Sequence, residues 1–99
     1  FRVSGATPHM KTDEALDHSI AAPKGPVVLA DRWDNPGGGV AGDGTFLLRG
    51  LIERKYTDAC LGALWDPIAV KMCFAAGEGA EFQLRFGGKM GPFSGTPVE

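Results

Sequence analysis

No stretch of this sequence approaches the roughly 20 consecutive apolar residues that cross a bilayer, and the residues present show no signal-peptide pattern. An excess of charge of one sign is also missing. Ten Lys and Arg stand against twelve Asp and Glu, for a net charge of −2. The cations are scattered singly, so no basic face is offered to nucleic acid or to anionic lipid. Cysteine is scarce. Cys60 and Cys73 are the two present, each inside an apolar run, which predicts buried free thiols of a cytoplasmic protein rather than a disulfide. His9 and His18 are the two histidines, far from any second ligand in a pattern that would give zinc its three or four converging side chains. No Ser–His–Asp or Cys–His arrangement is present for nucleophilic catalysis.

What the chain has is glycine. Fifteen of 99 residues is about twice the average share, concentrated in 37–44 and 77–95 without a repeat period, so collagen-like and linker readings fail. The 43% hydrophobic content suffices for one small domain, and a marginal one. The chain begins with Phe1 and ends in "SGTPVE", which reads as the start of another extended segment. These residues are therefore expected to be a piece of something longer.

Residues 1–11 have no periodicity and are expected to be an irregular lead-in; 12–99 form the expected domain, truncated at its C-terminal end. Thr12 with Asp13 and Glu14 has the chemistry of a helix start, Leu16 and Ile20 share a face, and Pro23 and Gly25 stop the helix. "PVVLAD" (26–31) reads as a strand covered on both faces. Phe46, Leu47, Leu48, Leu51 and Ile52 form the stripe of a second helix ending near Lys55. "DACLGALW" (58–65) is a second strand candidate. Asp66 caps a third helix with Pro67 at its first position, and Gly77 or Gly79 can supply a left-handed stop. "EFQLRF" (81–86) alternates as a half-exposed strand. This alternation predicts an α/β fold: a small two-layer or three-layer, mostly parallel sheet with helices packed on it. In such a fold the loop at 31–45 and the turn at 65–66 leave strands at one edge and become neighbours.

That loop, "DRWDNPGGGVAGDGT", is the chemically distinctive stretch. Glycines ahead of a helix expose N–H groups to an anion, yet neither nucleotide-loop pattern is present and Asp43 would repel a phosphate. Asp31, Asp34, Asn35 and Asp43 offer oxygens of the kind Mg²⁺ or Ca²⁺ takes, without the calcium-loop spacing. The structural alternative is strong residue by residue. Asp43 or Thr45 makes a good helix cap, 34–37 is good turn chemistry, and Asp31 can bond loop N–H groups. Fifteen residues is nevertheless long for a βα connection, usually about 2–6, and long loops tend to carry sites. "FGGKMGPFSG" (86–95) reads first as a turn, with Lys89 within possible reach of a ligand.

The order DNPGGG, GDGT, WDP and GGK, within "GPVVLADRWDNPGGGVAGDGTFLLRGLIER", "LGALWDPIAV" and "AAGEGAEFQLRFGGKMGPFSGTPV", resembles the C-terminal domain of the MlrC-like metallopeptidases over residues 13–98. The resemblance implies a two-domain, zinc-dependent bacterial peptidase acting on small or linearised peptides such as microcystin breakdown products. By the same resemblance, the zinc ligands belong to an N-terminal catalytic domain, the partner of this one. No catalytic or metal-ligating residue is carried onto these 99 residues. What carries over is a signature loop: Asp31, Asp34, Asn35, Gly37, Gly38, Gly39, Asp43, Gly44 and Thr45, with Asp66 beside it, facing the interdomain cleft and a small peptide substrate. A stand-alone anion-binding module and a structural, homo-oligomer-forming domain are the rival expectations.

Overall fold

The computed structural model describes residues 9–99; of the expected lead-in, residues 1–8 lie outside the described residues. Three α-helices form: α1 Thr12–Ile20, α2 Phe46–Glu53 and α3 Pro67–Ala76. Short 3₁₀ turns occupy Pro36–Gly38 and Pro92–Ser94. All three helices lie where the apolar spacing predicts them. Thr12 opens α1 from inside, however. Lys11 holds the N-cap position and no side chain caps the helix.

The expected sheet is absent among the described residues. The runs 26–31, 58–65 and 81–86 are not helical, but they do not pair with one another. The β-pairing present is one antiparallel bridge, Phe86 with Val98, made by N–H to O bonds of 3.0 Å in each direction. The α/β, mostly parallel expectation is therefore corrected. β-branched and aromatic residues fit an extended backbone, but a strand also needs a neighbour for its N–H and C=O groups. Among the described residues a β-bridge partner is supplied at Phe86 and at no other position of these runs. The consequence is exposure: Val28 of the first run is 86% exposed. The reading of the cysteines is corrected as well: Cys60, in the unpaired second run, and Cys73, on α3 where every residue but Ala69 is exposed, are both exposed free thiols.

The apolar core is correspondingly small. Leu16, Ala69 and Val98 are its buried hydrophobic members, whereas Thr45 and Asp43 are the largest fully buried side chains. The radius of gyration is 15.7 Å, against about 13 Å for a compact domain of this length. Residues 22–31 and 56–64, with α1 and α2 residues such as Leu16, Leu47 and Leu51, line an open groove of about 1040 Å³.

The clearest helix–helix packing is α1 on α2. Leu16, on the apolar face of α1, sits directly over Gly50 of α2, where a Cβ would collide with its Cδ1. Arg54, just past α2, donates to Asp17 at 2.8 Å and to Asp13 at 3.0 Å. Both carboxylates are largely exposed, so these pairs orient the helices more than they stabilise them. The Asp17 carboxyl is held below its usual value chiefly by the Arg54 hydrogen bond. Gly50→Ala is expected to destabilise the protein. Overpacking costs about 1–3 kcal/mol, more than the about 1 kcal/mol of helix propensity that alanine restores. A thermal melt in which the variant matches or exceeds the parent would contradict this close packing.

Candidate functional site

The loop at 31–45 is built by its own acids. Asp31 Oδ1 accepts N–H bonds from Trp33 (3.0 Å) and Asp34 (3.2 Å), the local turn that aspartate favours. Asp34 then spans the loop. Its Oδ1 accepts from the Gly42 N–H at 2.9 Å and its Oδ2 from the Gly44 N–H. Asn35 caps the first 3₁₀ turn by accepting from the Gly37 N–H at 2.9 Å. The Gly38 and Gly39 N–H groups donate to the carbonyls of Asn35 and Pro36. Trp33 stands in solvent at 89% exposure.

Beyond Gly42 the loop enters a second, tighter layer. Asp43 is 1% exposed, and its Oδ2 accepts from the N–H groups of Lys89 (2.7 Å) and Met90 (2.9 Å). Its carbonyl accepts from the Gly88 N–H at 2.7 Å. Thr45 is fully buried. It does not cap α2, although it holds the N-cap position. Its N–H donates to the Ser94 carbonyl at 3.0 Å and its hydroxyl to the Thr96 carbonyl at 2.7 Å. Arg49, one turn into α2, donates from Nε to the same Thr96 carbonyl at 3.1 Å.

The Trp65–Asp66 turn joins this layer, as the sequence predicts. The Trp65 N–H donates to the Gly42 carbonyl at 2.8 Å. Asp66 caps α3 through Oδ1, which accepts from the Ala69 N–H at 2.9 Å. Its Oδ2 accepts from the Gly87 N–H at 3.0 Å and from Lys89 Nζ at 2.6 Å. Segments 42–45, 65–66 and 87–96 are thus tied into one clasp. Two glycines make it possible. Gly87 and Gly88 have φ of 63° and 58°, a region that side-chain-bearing residues rarely adopt. A Cβ at Gly87 would also meet Leu64 and Thr45 within 3.0 Å.

The structure therefore brings together Asp34, Asp43, Gly44, Thr45 and Asp66 and leaves Asp31, Asn35 and Gly37–Gly39 in an exposed outer turn. Sequence reasoning read 86–95 first as a turn, with Lys89 in reach of a ligand, and missed that Gly87, Gly88, Lys89, Ser94 and Thr96 form the other half of the clasp. One signal was available. A capping aspartate uses one carboxylate oxygen on its helix, and Asp66 had a second to satisfy.

Burial would raise the carboxyl pKa of both inner acids, but their partners reverse it. At Asp43 the Ser94 hydroxyl and the Met90 and Lys89 N–H groups hold it below its usual value. Oδ1 of Asp43 is nevertheless buried without a hydrogen-bond partner of ordinary geometry. At Asp66 the Ala69 N–H, the Lys89 ammonium and the Gly87 N–H lower the pKa from 3.8 to about 2. The unfolded chain therefore binds these protons more tightly than the folded one, and acid favours unfolding. The stability due to Asp66, about 2 kcal/mol by linkage, is fully present above about pH 4 and is lost as pH falls toward about 2. Asp66→Asn is expected to lower stability near neutrality and to flatten that acid loss. Urea midpoints at about pH 6 and about pH 3 measure both effects; an unchanged pH dependence in the variant would remove Asp66 from this role.

The implied zinc does not fit these residues. Among the described residues no group of three or more His, Cys, Asp or Glu side chains is placed to hold a metal ion. The loop and turn carboxylates accept backbone N–H bonds instead. Nor, among the described residues, is any helix long and apolar enough to cross a membrane.

Comparison with known proteins bears on the whole chain. Residues 29–99 match the family described as MlrC C-terminus. Microcystinase C of a Sphingomonas species is 41% identical over 97 residues, covering 98% of this chain and 19% of that protein. The chain thus spans about a fifth of the length of the relative it matches. No solved structure matches it. The matched region contains every segment of the clasp, and on these two agreements the chain belongs to the MlrC C-terminus family.

Proposed function

We propose that these residues form part of a longer bacterial, cytoplasmic, zinc-dependent peptidase that cleaves small or linearised peptides of the microcystin type. In this reading zinc is held by an N-terminal catalytic domain, and the present chain provides one wall of the cleft between them. The observation that carries the reading is the 41% identity, across 98% of the chain, to Microcystinase C, a protein named for action on microcystin.

The geometry favours a particular contribution from the loop. Each of its aspartates spends at least one oxygen on backbone N–H groups, and the N–H groups of Gly37, Gly38, Gly39, Gly42 and Gly44 already donate within the loop. An anion cradle would need those donors free, so the rival anion-binding reading loses its main support. What the loop supplies is a rim of fixed shape, and preorganised walls are what position a substrate for attack. Asp34 is the strut of that rim, because its two oxygens hold Gly42 and Gly44.

Asp34→Ala in the full-length protein is therefore expected to lower kcat/KM on a linear microcystin-derived peptide by about 10–100-fold with zinc content unchanged. Asp34→Asn, which keeps an acceptor for the Gly42 N–H, is expected to recover part of the loss. Unaltered turnover in Asp34→Ala would sink the cleft reading, and a parallel loss of zinc would place the strut in metal retention instead.

A further inference from the structure

Helix α3 is built the wrong way round for a surface helix. Of its ten residues, "PIAVKMCFAA", Lys71 is the one charged member. Its buried residue is the small Ala69, whereas Ile68, Val70, Met72 and Phe74 are 62, 52, 47 and 84% exposed. A helix at the surface of a domain turns its large apolar residues inward. In this one Ala69 alone is buried and the large residues are exposed.

The exposed side chains occupy two flanks. Ile68 and Met72 are four residues apart and share one; Val70 and Phe74 share the other, roughly 160–200° around the helix at about 100° per residue. A twofold contact between two copies buries one patch of each partner, which leaves the second flank in water. Covering both requires a body that surrounds the helix. The matched relative extends well beyond this region, since the alignment occupies 19% of its length. Polypeptide in the same chain meets the helix at high effective concentration.

We infer that α3 is an interior helix of the full-length family protein, covered on both flanks by polypeptide lying outside these 99 residues. The inference rests on the reading that the chain is part of a longer protein, and is independent of what the loop at 31–45 does. Apolar helices of this kind belong to cores, and burial of both flanks removes an exposed patch that a soluble protein seldom tolerates.

Native Cys73 is exposed on the helix beside the Val70–Phe74 flank, and an Ile68→Cys variant reports on the other. Maleimide labelling at each position is read by mass spectrometry in two settings, normalised to the urea-unfolded rate. One is the 99-residue chain; the other is Microcystinase C with these residues grafted in place of its matching segment. The expected result is labelling near the unfolded rate in the short chain and slowing by at least about tenfold at both positions in the graft. Equal rates in the two settings overturn the inference, as does protection at one flank alone. Slow labelling of the short chain that is relieved by dilution assigns the helix to a second copy and overturns it too. If the graft shows no cooperative melt, the rest of the relative is added to the short chain as a separate polypeptide. Saturable protection at both positions then supports the inference and its absence overturns it. Protection at α3 with wild-type turnover in Asp34→Ala keeps this inference while the cleft reading falls.

Discussion

The Asp43 carboxylate, shut away from water and gripping two successive backbone N–H groups of the 89–90 segment, is the constraint on which the rest of the chain depends. Hydrogen bonds to a charged group each contribute about 1.5–3 kcal/mol, and leaving such a group buried without them is costly. Asp66 repeats the arrangement one step away, with an ammonium added. Together the two acids do what an apolar core does in most domains. Here that core is Leu16, Ala69 and Val98, too little to fix the path of the chain. Polar contacts are directional, so they specify the clasp sharply.

This inversion, with acids inside and large hydrophobics outside, separates two jobs within one sequence. The inner acids and the paired glycines 87 and 88 shape a rigid rim. The outer apolar residues, on α3 and along 26–31 and 58–65, stand at the surface. Carboxylates at strand-like ends invite a metal or phosphate reading, but here each one faces the backbone. Among the described residues, Oδ1 of Asp43 is the buried side-chain oxygen left without a partner.

The local elements were legible because their causes are local. Asp66 and Pro67 start α3 by capping chemistry that reads directly off two residues, and the stripe from Phe46 to Ile52 can only be a helix. The loop and the WDP turn do meet, through the Gly42–Trp65 bond, but not for the expected reason, since the sheet edge that was to bring them together is absent among the described residues. The sheet was misread, because residues such as Val27, Val28 and Leu29 encode extended backbone but not the partner that turns an extended run into a strand. The expected burial of Cys60 failed for the same reason, and that of Cys73 because α3 buries only Ala69. The clasp was half legible. Its acids announce themselves, but nothing in "FGGKMGPFSG" says where its N–H groups go. That depends on a left-handed pair of glycines set more than forty residues from Asp43 in sequence.

The clasp also closes a circuit. Between the 42–45 side and the 87–96 side run α2, an extended segment, α3 and the glycine-flanked turn at 77–80, whose residues are all exposed and where Gly77 and Gly79 have no neighbour within reach of an added Cβ. Because closure entropy rises only with the logarithm of contour length, doubling such a circuit costs roughly 0.6 kcal/mol. An insertion at 77–80 leaves both ends of the knot untouched. This bend is therefore the natural place for relatives to differ in length, and for an engineer to splice in a tag or a reporter without disturbing the acids that hold the two ends together.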